Sequence, residues 1–167
     1  MINKEDELLI SQFVYSTKHY AYGDIVKSLD KEMMLATFIL CFCLISTLSS
    51  NRYFKSRSLK NDSQKFVKFI EDYFPKSYFP YANRIYVDLR SKMVHNYSVN
   101  GKFILTRELS KLHLTLIEDK VVIDLNPFVT DIENAMMIFF QELSTDKEIL
   151  NNTLSHSKRW RPIRSES

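Results

Sequence analysis

Two side chains in this 167-residue sequence stand where they could work together on a phosphate: Arg90 and, five positions on, His95. An arginine is permanently charged and forked, so it holds two phosphate oxygens at once. An imidazole, with an ordinary pKa of about 6.5, gives or takes a proton near neutral pH. They lie in the string Val87-Asp88-Leu89-Arg90-Ser91-Lys92-Met93-Val94-His95-Asn96-Tyr97. On a regular helix five residues turn the chain by about 140°, so the two do not share a face. Either the helix frays or tightens after Val94 and lets the ring swing back, or a two-fold partner brings its own pair to the same groove. Two plainer roles compete with this one. His95 could finish the helix against its C-terminal dipole, and Arg90 could pair with Asp88 or another carboxylate.

The elements that must position these residues are helical. Ala82, Ile85, Tyr86, Leu89 and Met93 trace one stripe of a helix starting near Pro80 and stopping at Asn100 and Gly101. Upstream, Leu8, Leu9, Phe13 and Val14 suit a helix from Glu5 to about Tyr20, stopped by Gly23, after which Asp24 caps a second helix running to about Ser50. Ser63 is placed to cap a third, with Phe66, Phe69, Ile70, Tyr73 and Phe74 at helical spacing and Pro75 ending it. Between Lys102 and Leu125 the period falls to two. Leu112, Leu114 and Leu116 alternate with His113, read as exposed, and Thr115; Val121 and Ile123 follow beyond a loop at Glu118 to Lys120, and Phe103 to Leu105 offers a third short strand. Thr130 and Glu133 form a capping-box pattern ahead of Ile132, Ala135, Met136, Phe139, Phe140 and Leu143, and a shorter helical piece follows from Asp146 to about Leu154. The expectation is a mainly α bundle of about five helices, with a small antiparallel hairpin or three-stranded sheet inserted at about 102–125. One domain over 1–155 and a basic tail over 156–167 complete it.

Composition narrows the chemistry. Two glycines and four prolines are too few for an all-β sandwich. Cys41 and Cys43, two apart in an apolar run, face different ways around a helix and have no companions, so they read as buried thiols of a reducing, cytoplasmic compartment. Four scattered histidines give no ligand set, and neither a metal nor another cofactor is expected. Met33 to Asn51 carries no formal charge and approaches bilayer-spanning length, but Thr37, Ser46, Thr47, Ser49 and Ser50 dilute it, and a buried core helix is the reading carried forward over a membrane span. The small net charge of +3 hides two basic stretches: Arg52, Lys55, Arg57, Lys60, Lys65 and Lys68 against Asp62 alone, and Lys158, Arg159, Arg161 and Arg164 against Glu166. Both suit a polyanion or a solvated face. In the tail, Trp160 between Arg159 and Arg161 could stack a base while the cations bind phosphates.

The Arg-x4-His-x-Tyr string at Arg90, His95 and Tyr97, placed near the end of an amphipathic helix, resembles the signature of the HEPN superfamily. The resemblance at residue level covers Tyr86 to Tyr97; elsewhere it rests on helix order and size. It implies a small helical domain that pairs as a homodimer and cleaves RNA without a metal, in a defence or toxin–antitoxin setting. Arg90 and His95 would be catalytic. Tyr97 would be a site of modification by a nucleotidyltransferase-type antitoxin partner. Lys92, Arg52, Lys55, Arg57, Lys60, Arg159, Trp160 and Arg161 are candidate RNA contacts. Ser91 departs from the Asn, Asp or His that many active members place after the arginine. That departure keeps open a second class of function, an inactive module binding RNA, a nucleotide or a protein.

Overall fold

The computed structural model describes residues 3–96, 98 and 101–159. It is a helical bundle with a small three-stranded sheet on one side. Helix α1 (Lys4–Ser16) starts where Asn3 Oδ1 accepts from the Asp6 amide at 2.8 Å. It runs through a π turn (Thr17–Tyr22) into α2 (Gly23–Asp30) with no break at Gly23, whose φ of −57° is ordinary helix. The expected stop at Gly23 and cap at Asp24 are therefore absent. A glycine ends a helix only when the chain beyond it has something better to do, and here Ile25 is buried by continuing.

The break comes instead at Lys31 to Met33, so the single helix expected from Asp24 to Ser50 is two. Glu32 takes a positive φ of 58°, the Met33 amide returns to the Ser28 carbonyl at 2.9 Å, and the Ser28 and Thr37 hydroxyls bond across the corner at 2.9 Å. Helix α3 (Met34–Arg52) then crosses the middle of the protein. Phe38, Cys41, Phe42, Leu44, Ile45 and Leu48 are buried on several of its sides, against α2, the first π turn, α4 (Asp62–Tyr73), α7 (Leu125–Thr145) and α8 (Lys147–Arg159). By length and composition alone it could cross a bilayer, yet half of that stretch is buried inside the protein. Cys43, expected to be buried, is exposed while Cys41 is enclosed. The two-residue offset puts them on opposite sides of the helix.

Asn61, not Ser63, caps α4, its Oδ1 accepting from the Gln64 amide at 2.9 Å. After Pro75 a 3₁₀ segment (Lys76–Tyr81) leads into one continuous helical run: α5 (Ala82–Arg84), a second π turn (Ile85–Arg90) and α6 (Ser91–Asn96). Ala82, Ile85, Leu89 and Met93 form its buried stripe. The sheet has the order β1-β3-β2, with β1 (Phe103–Thr106), β2 (Leu116–Ile117) and β3 (Lys120–Asp124). The hairpin of β2 and β3 is antiparallel and turns on Glu118 and Asp119, both at positive φ as a two-residue type I′ connection requires. Strand β1, in contrast, lies parallel to β3, pairing Phe103 with Val121 through Thr106 with Asp124.

The alternation at Leu112 to Leu116 does not make a full strand. Ser110–Leu112 is a 3₁₀ turn and Leu114 sits at φ 62°, which turns His113 inward instead of outward as expected. Its Nδ1 accepts from the Asp124 amide at 3.0 Å, and its Nε2 lies 2.8 Å from the Tyr78 hydroxyl, which gives its own proton to Asp131 at 2.7 Å. Those partners fix the ring as the neutral tautomer carrying hydrogen on Nε2. Asp124 is itself fully buried, accepting from the Leu109 amide, the Ser110 hydroxyl and the Asn126 amide. It is the N-cap of α7. The helix consequently begins five residues before the expected capping box, and Thr130 is mid-helix with its hydroxyl on the Asn126 carbonyl. Pro127 is tolerated because the first turn needs no amide donor there. Helix α8 also outruns expectation, continuing past Leu154 to Arg159 with Ser157 buried, so the first residues of the expected tail belong to the folded unit.

Burial holds the His113 pKa below its ordinary value of 6.5, against smaller opposite effects of Asp131 and Asp124. A histidine that resists protonation when folded favours the native state above its unfolded pKa, and that contribution is lost as pH falls from there through the lower folded value. Denaturant unfolding across that window is expected to show stability dropping with acid. A His113→Gln variant, weaker near pH 7, should show a shallower fall; an equally steep one would show that His113 is not the group responsible.

Candidate functional site

Arg90 ends the second π turn, half-buried, and its position follows from two neighbours. Its guanidinium carbon lies 5.2 Å from the centre of the Tyr86 ring, one turn back, and its Nε donates to the Ser46 hydroxyl of α3 at 3.4 Å. Tyr86 is in turn held edge-on by Phe66 of α4 at 5.2 Å between ring centres. The arginine is thus clamped between an aromatic face and the C-terminal half of the central helix.

The guanidinium opens on a pocket of about 230 Å³ lined by Ser46, Thr47, Ser49, Ser50, Asp62, Arg90 and His156. Four hydroxyls come from α3, the carboxylate from the first turn of α4, and the imidazole from α8. Thr47 and Ser49 use their hydroxyl protons on backbone carbonyls of their own helix, at Cys43 and Ser46, which leaves oxygen lone pairs facing the space. His156 packs edge-on to Phe54 at 5.2 Å, and its pKa lies below 6.5 because of burial and then the cations Lys65 and Arg159. Lys65 belongs to the first basic stretch of the sequence and Arg159 to the second. The fold therefore brings two segments about ninety residues apart near His156, which lines the same pocket as Arg90.

His95 is placed differently. It is exposed on α6, which continues unbroken through Asn96, and it does not line the Arg90 pocket. The helix does not fray after Val94, so within one protomer the turn of about 140° stands. Within one protomer the two side chains are not united. Asp88 lies 3.9 Å from Arg84, so this carboxylate is shared with a neighbour one turn back. Ser91 is half-buried and Lys92 exposed. Tyr97, Trp160 and Arg161 lie outside the described residues.

The remaining basic candidates divide. Lys55, Arg57, Lys60 and Arg159 are exposed. Arg52 turns inward: its Nε donates to the Tyr73 hydroxyl at 2.9 Å, Tyr73 donates to Glu142, and the guanidinium covers the Tyr53 ring at 5.1 Å. Its neighbour Asn152 pins the same corner, donating to the Arg52 carbonyl at 3.1 Å and accepting from the Lys55 amide at 3.1 Å. Among the described residues no group of three or more His, Cys, Asp or Glu side chains gathers to hold a metal.

The pocket was partly legible in the sequence. Ser46, Ser49 and Ser50 stand at i, i+3 and i+4, one polar patch on a largely apolar helix. In the sequence the same hydroxyls equally suit mere dilution of a membrane-like run, which hides the patch. His156 gave no local signal, because what makes it part of the pocket is the packing of α8 against α3. A comparison with family models, curated proteins and solved structures finds no match to this chain.

Replacing Arg52 by Met is expected to cost about 1–3 kcal/mol of stability, because it strips a charged donor from the partly buried Tyr73–Glu142 pair. Replacing exposed Arg57 by Met should change stability by no more than about 0.5 kcal/mol. Urea midpoints of the two variants measure the difference; equal midpoints would show that Arg52 is not held as described.

Proposed function

We propose that this chain is a metal-independent endoribonuclease of the HEPN type, acting on RNA as a homodimer. The observation that carries the reading is Arg90 itself. Its guanidinium is pre-positioned by Tyr86 and Ser46 beside a hydroxyl-lined pocket that it shares with His156, on whose charge cations of both basic stretches act. A fixed guanidinium costs little reorganisation when charge develops in front of it, and such positioning accounts for much of the catalysis by sites of this kind.

The chemistry needs no cofactor. In RNA the 2′-hydroxyl lies next to the scissile phosphodiester. Its oxygen attacks phosphorus, the bond to the 5′-oxygen breaks, and the products are a 2′,3′-cyclic phosphate and a 5′-hydroxyl. The His95 imidazole takes the 2′-hydroxyl proton, and a proton from solvent neutralises the departing oxygen. Arg90 holds the non-bridging oxygens through the pentacoordinate transition state. His95, exposed and turned away from its own Arg90, is suited to reach the pocket of a second copy, so that each groove is composite. DNA lacks the nucleophile and is spared.

A second reading is a module that binds RNA, a nucleotide or a protein without cleaving. Ser91 in place of a more polar neighbour, and the divergence of Arg90 and His95 within one protomer, favour it.

The deciding experiment incubates the purified protein with labelled RNA in EDTA beside the Arg90→Ala and His95→Ala variants. The expected outcome is cleavage by the parent and a loss of about a hundredfold or more in each variant. Mixing the two inactive variants should restore part of the activity through one intact composite groove, and light scattering should give a dimer. Cleavage unchanged in both variants would reject the site, and RNA bound but uncut by the parent would favour the binding module.

A further inference from the structure

The Arg90 pocket contains more than the nuclease reading uses. That reading needs a guanidinium and an imidazole of the Arg90–His95 motif; the pocket adds His156, Asp62 and a row of serine and threonine oxygens. An acidic side chain beside a phosphate site is unexpected, since it repels the anion. It makes sense if it faces another part of the same ligand.

We propose that this pocket binds a single ribose-phosphate unit of RNA, with the phosphate between Arg90 and His156 and the ribose 2′-hydroxyl against Asp62. The inference rests on the RNA-binding part of the reading above and goes beyond it by assigning Asp62 as the residue that distinguishes ribose from deoxyribose and His156 as a phosphate contact. A carboxylate accepts and never donates, so it fits a sugar hydroxyl, and recognition of the 2′-hydroxyl is how a protein tells RNA from DNA at one position. The His156 ring, lining the same pocket as the guanidinium, supplies an N–H donor to a phosphate oxygen. Lys65 and Arg159 act on the charge of His156 and add to the positive charge of Arg90 on this side of the pocket.

Size supports a partial ligand. At about 230 Å³ the pocket is smaller than the roughly 300–1,000 Å³ of sites that enclose whole small molecules. A phosphate and its sugar are the unit that fits, with the base outside. The walls offer hydroxyls and charges and no Phe, Tyr or Trp face for a base to stack on. Binding here should therefore be indifferent to base identity while selective for the sugar.

The test measures fluorescence anisotropy of a short labelled RNA and of DNA of the same sequence, in a His95→Ala background so that the RNA is not consumed. RNA should bind about tenfold tighter than DNA, the weight of one hydrogen bond to a charged group. Asp62→Ala should bring the ratio close to one by weakening RNA alone; Asp62 is exposed on the first turn of α4, so this change leaves the fold intact. His156→Gln should weaken RNA and DNA alike, by about tenfold. Thermal melts identify any variant that has not folded, and Ser50→Ala, a milder change in the same wall, then takes the place of His156→Gln with a smaller loss expected for both nucleic acids.

An unchanged RNA-to-DNA ratio in Asp62→Ala overturns the ribose assignment. Parent-like affinity in His156→Gln overturns the phosphate assignment. If these pocket variants bind normally while cleavage by the otherwise unaltered protein still depends on His95, the nuclease reading stands and the pocket proposal alone is lost; no binding of RNA by the parent removes both.

Discussion

A helix with almost no polar face has to be enclosed, and most of this structure is the means of enclosing α3. Its apolar side chains point in several directions, so no single partner helix can cover them. The α1–α2 arm bends over one side through its π turn, α4 lies along another, and α7 and α8 close the rest. Rings supply much of the volume: Phe38 and Phe42 pack with Phe128 of α7 at 5.9 and 5.6 Å between centres, and Phe69 of α4 meets Phe139 of α7 at 6.3 Å. Thr37, Ser49 and Asn51 are polar yet enclosed, whereas Ser46, Thr47 and Ser50 fall where enclosure is incomplete. Near its C-terminal end the serines face a gap between α4, α8 and the second π turn, and that gap is the pocket at Arg90. Core and candidate site are thus two ends of one constraint.

The sheet is tied to the bundle through a second buried arrangement. Asp124 ends β3, begins α7 and receives the loop amide of Leu109, so one carboxylate sets the angle at which strand becomes helix. His113 and Tyr78 extend the bonding to Asp131 on the next turn of α7. Because every member has a defined donor or acceptor, the ring of His113 is fixed as a spacer, and its proton affinity is a by-product of that packing.

Much of the helical architecture could be read from spacing. The stripe Ala82, Ile85, Leu89 and Met93 and the set Phe66, Phe69, Ile70 and Tyr73 are buried as their periods predict. What spacing missed was competition between local signals. Gly23 looked like a stop, but tertiary burial of Ile25 carried the helix through; Thr130 looked like a cap, but Asp124 offered an earlier one with three donors to satisfy. Leu112 to Leu116 looked like a strand until Leu114 took a positive φ. For the site, residue types at Arg90 and His95 were visible at once, while the neighbourhood of Arg90 was not. Ser46, Asp62 and His156 come from α3, α4 and α8, and no window along the sequence contains them together.

The position of α8 carries a consequence for how the molecule comes into being. Asn152 completes the corner at Arg52 across 100 residues of chain, and Lys158 reaches Asp6 of α1 at 2.6 Å. During synthesis the central helix leaves the ribosome long before its last cover does. For that interval an apolar 19-residue segment stands partly bare, with the length of a membrane anchor and the kind of exposed surface that makes nascent chains prone to aggregate.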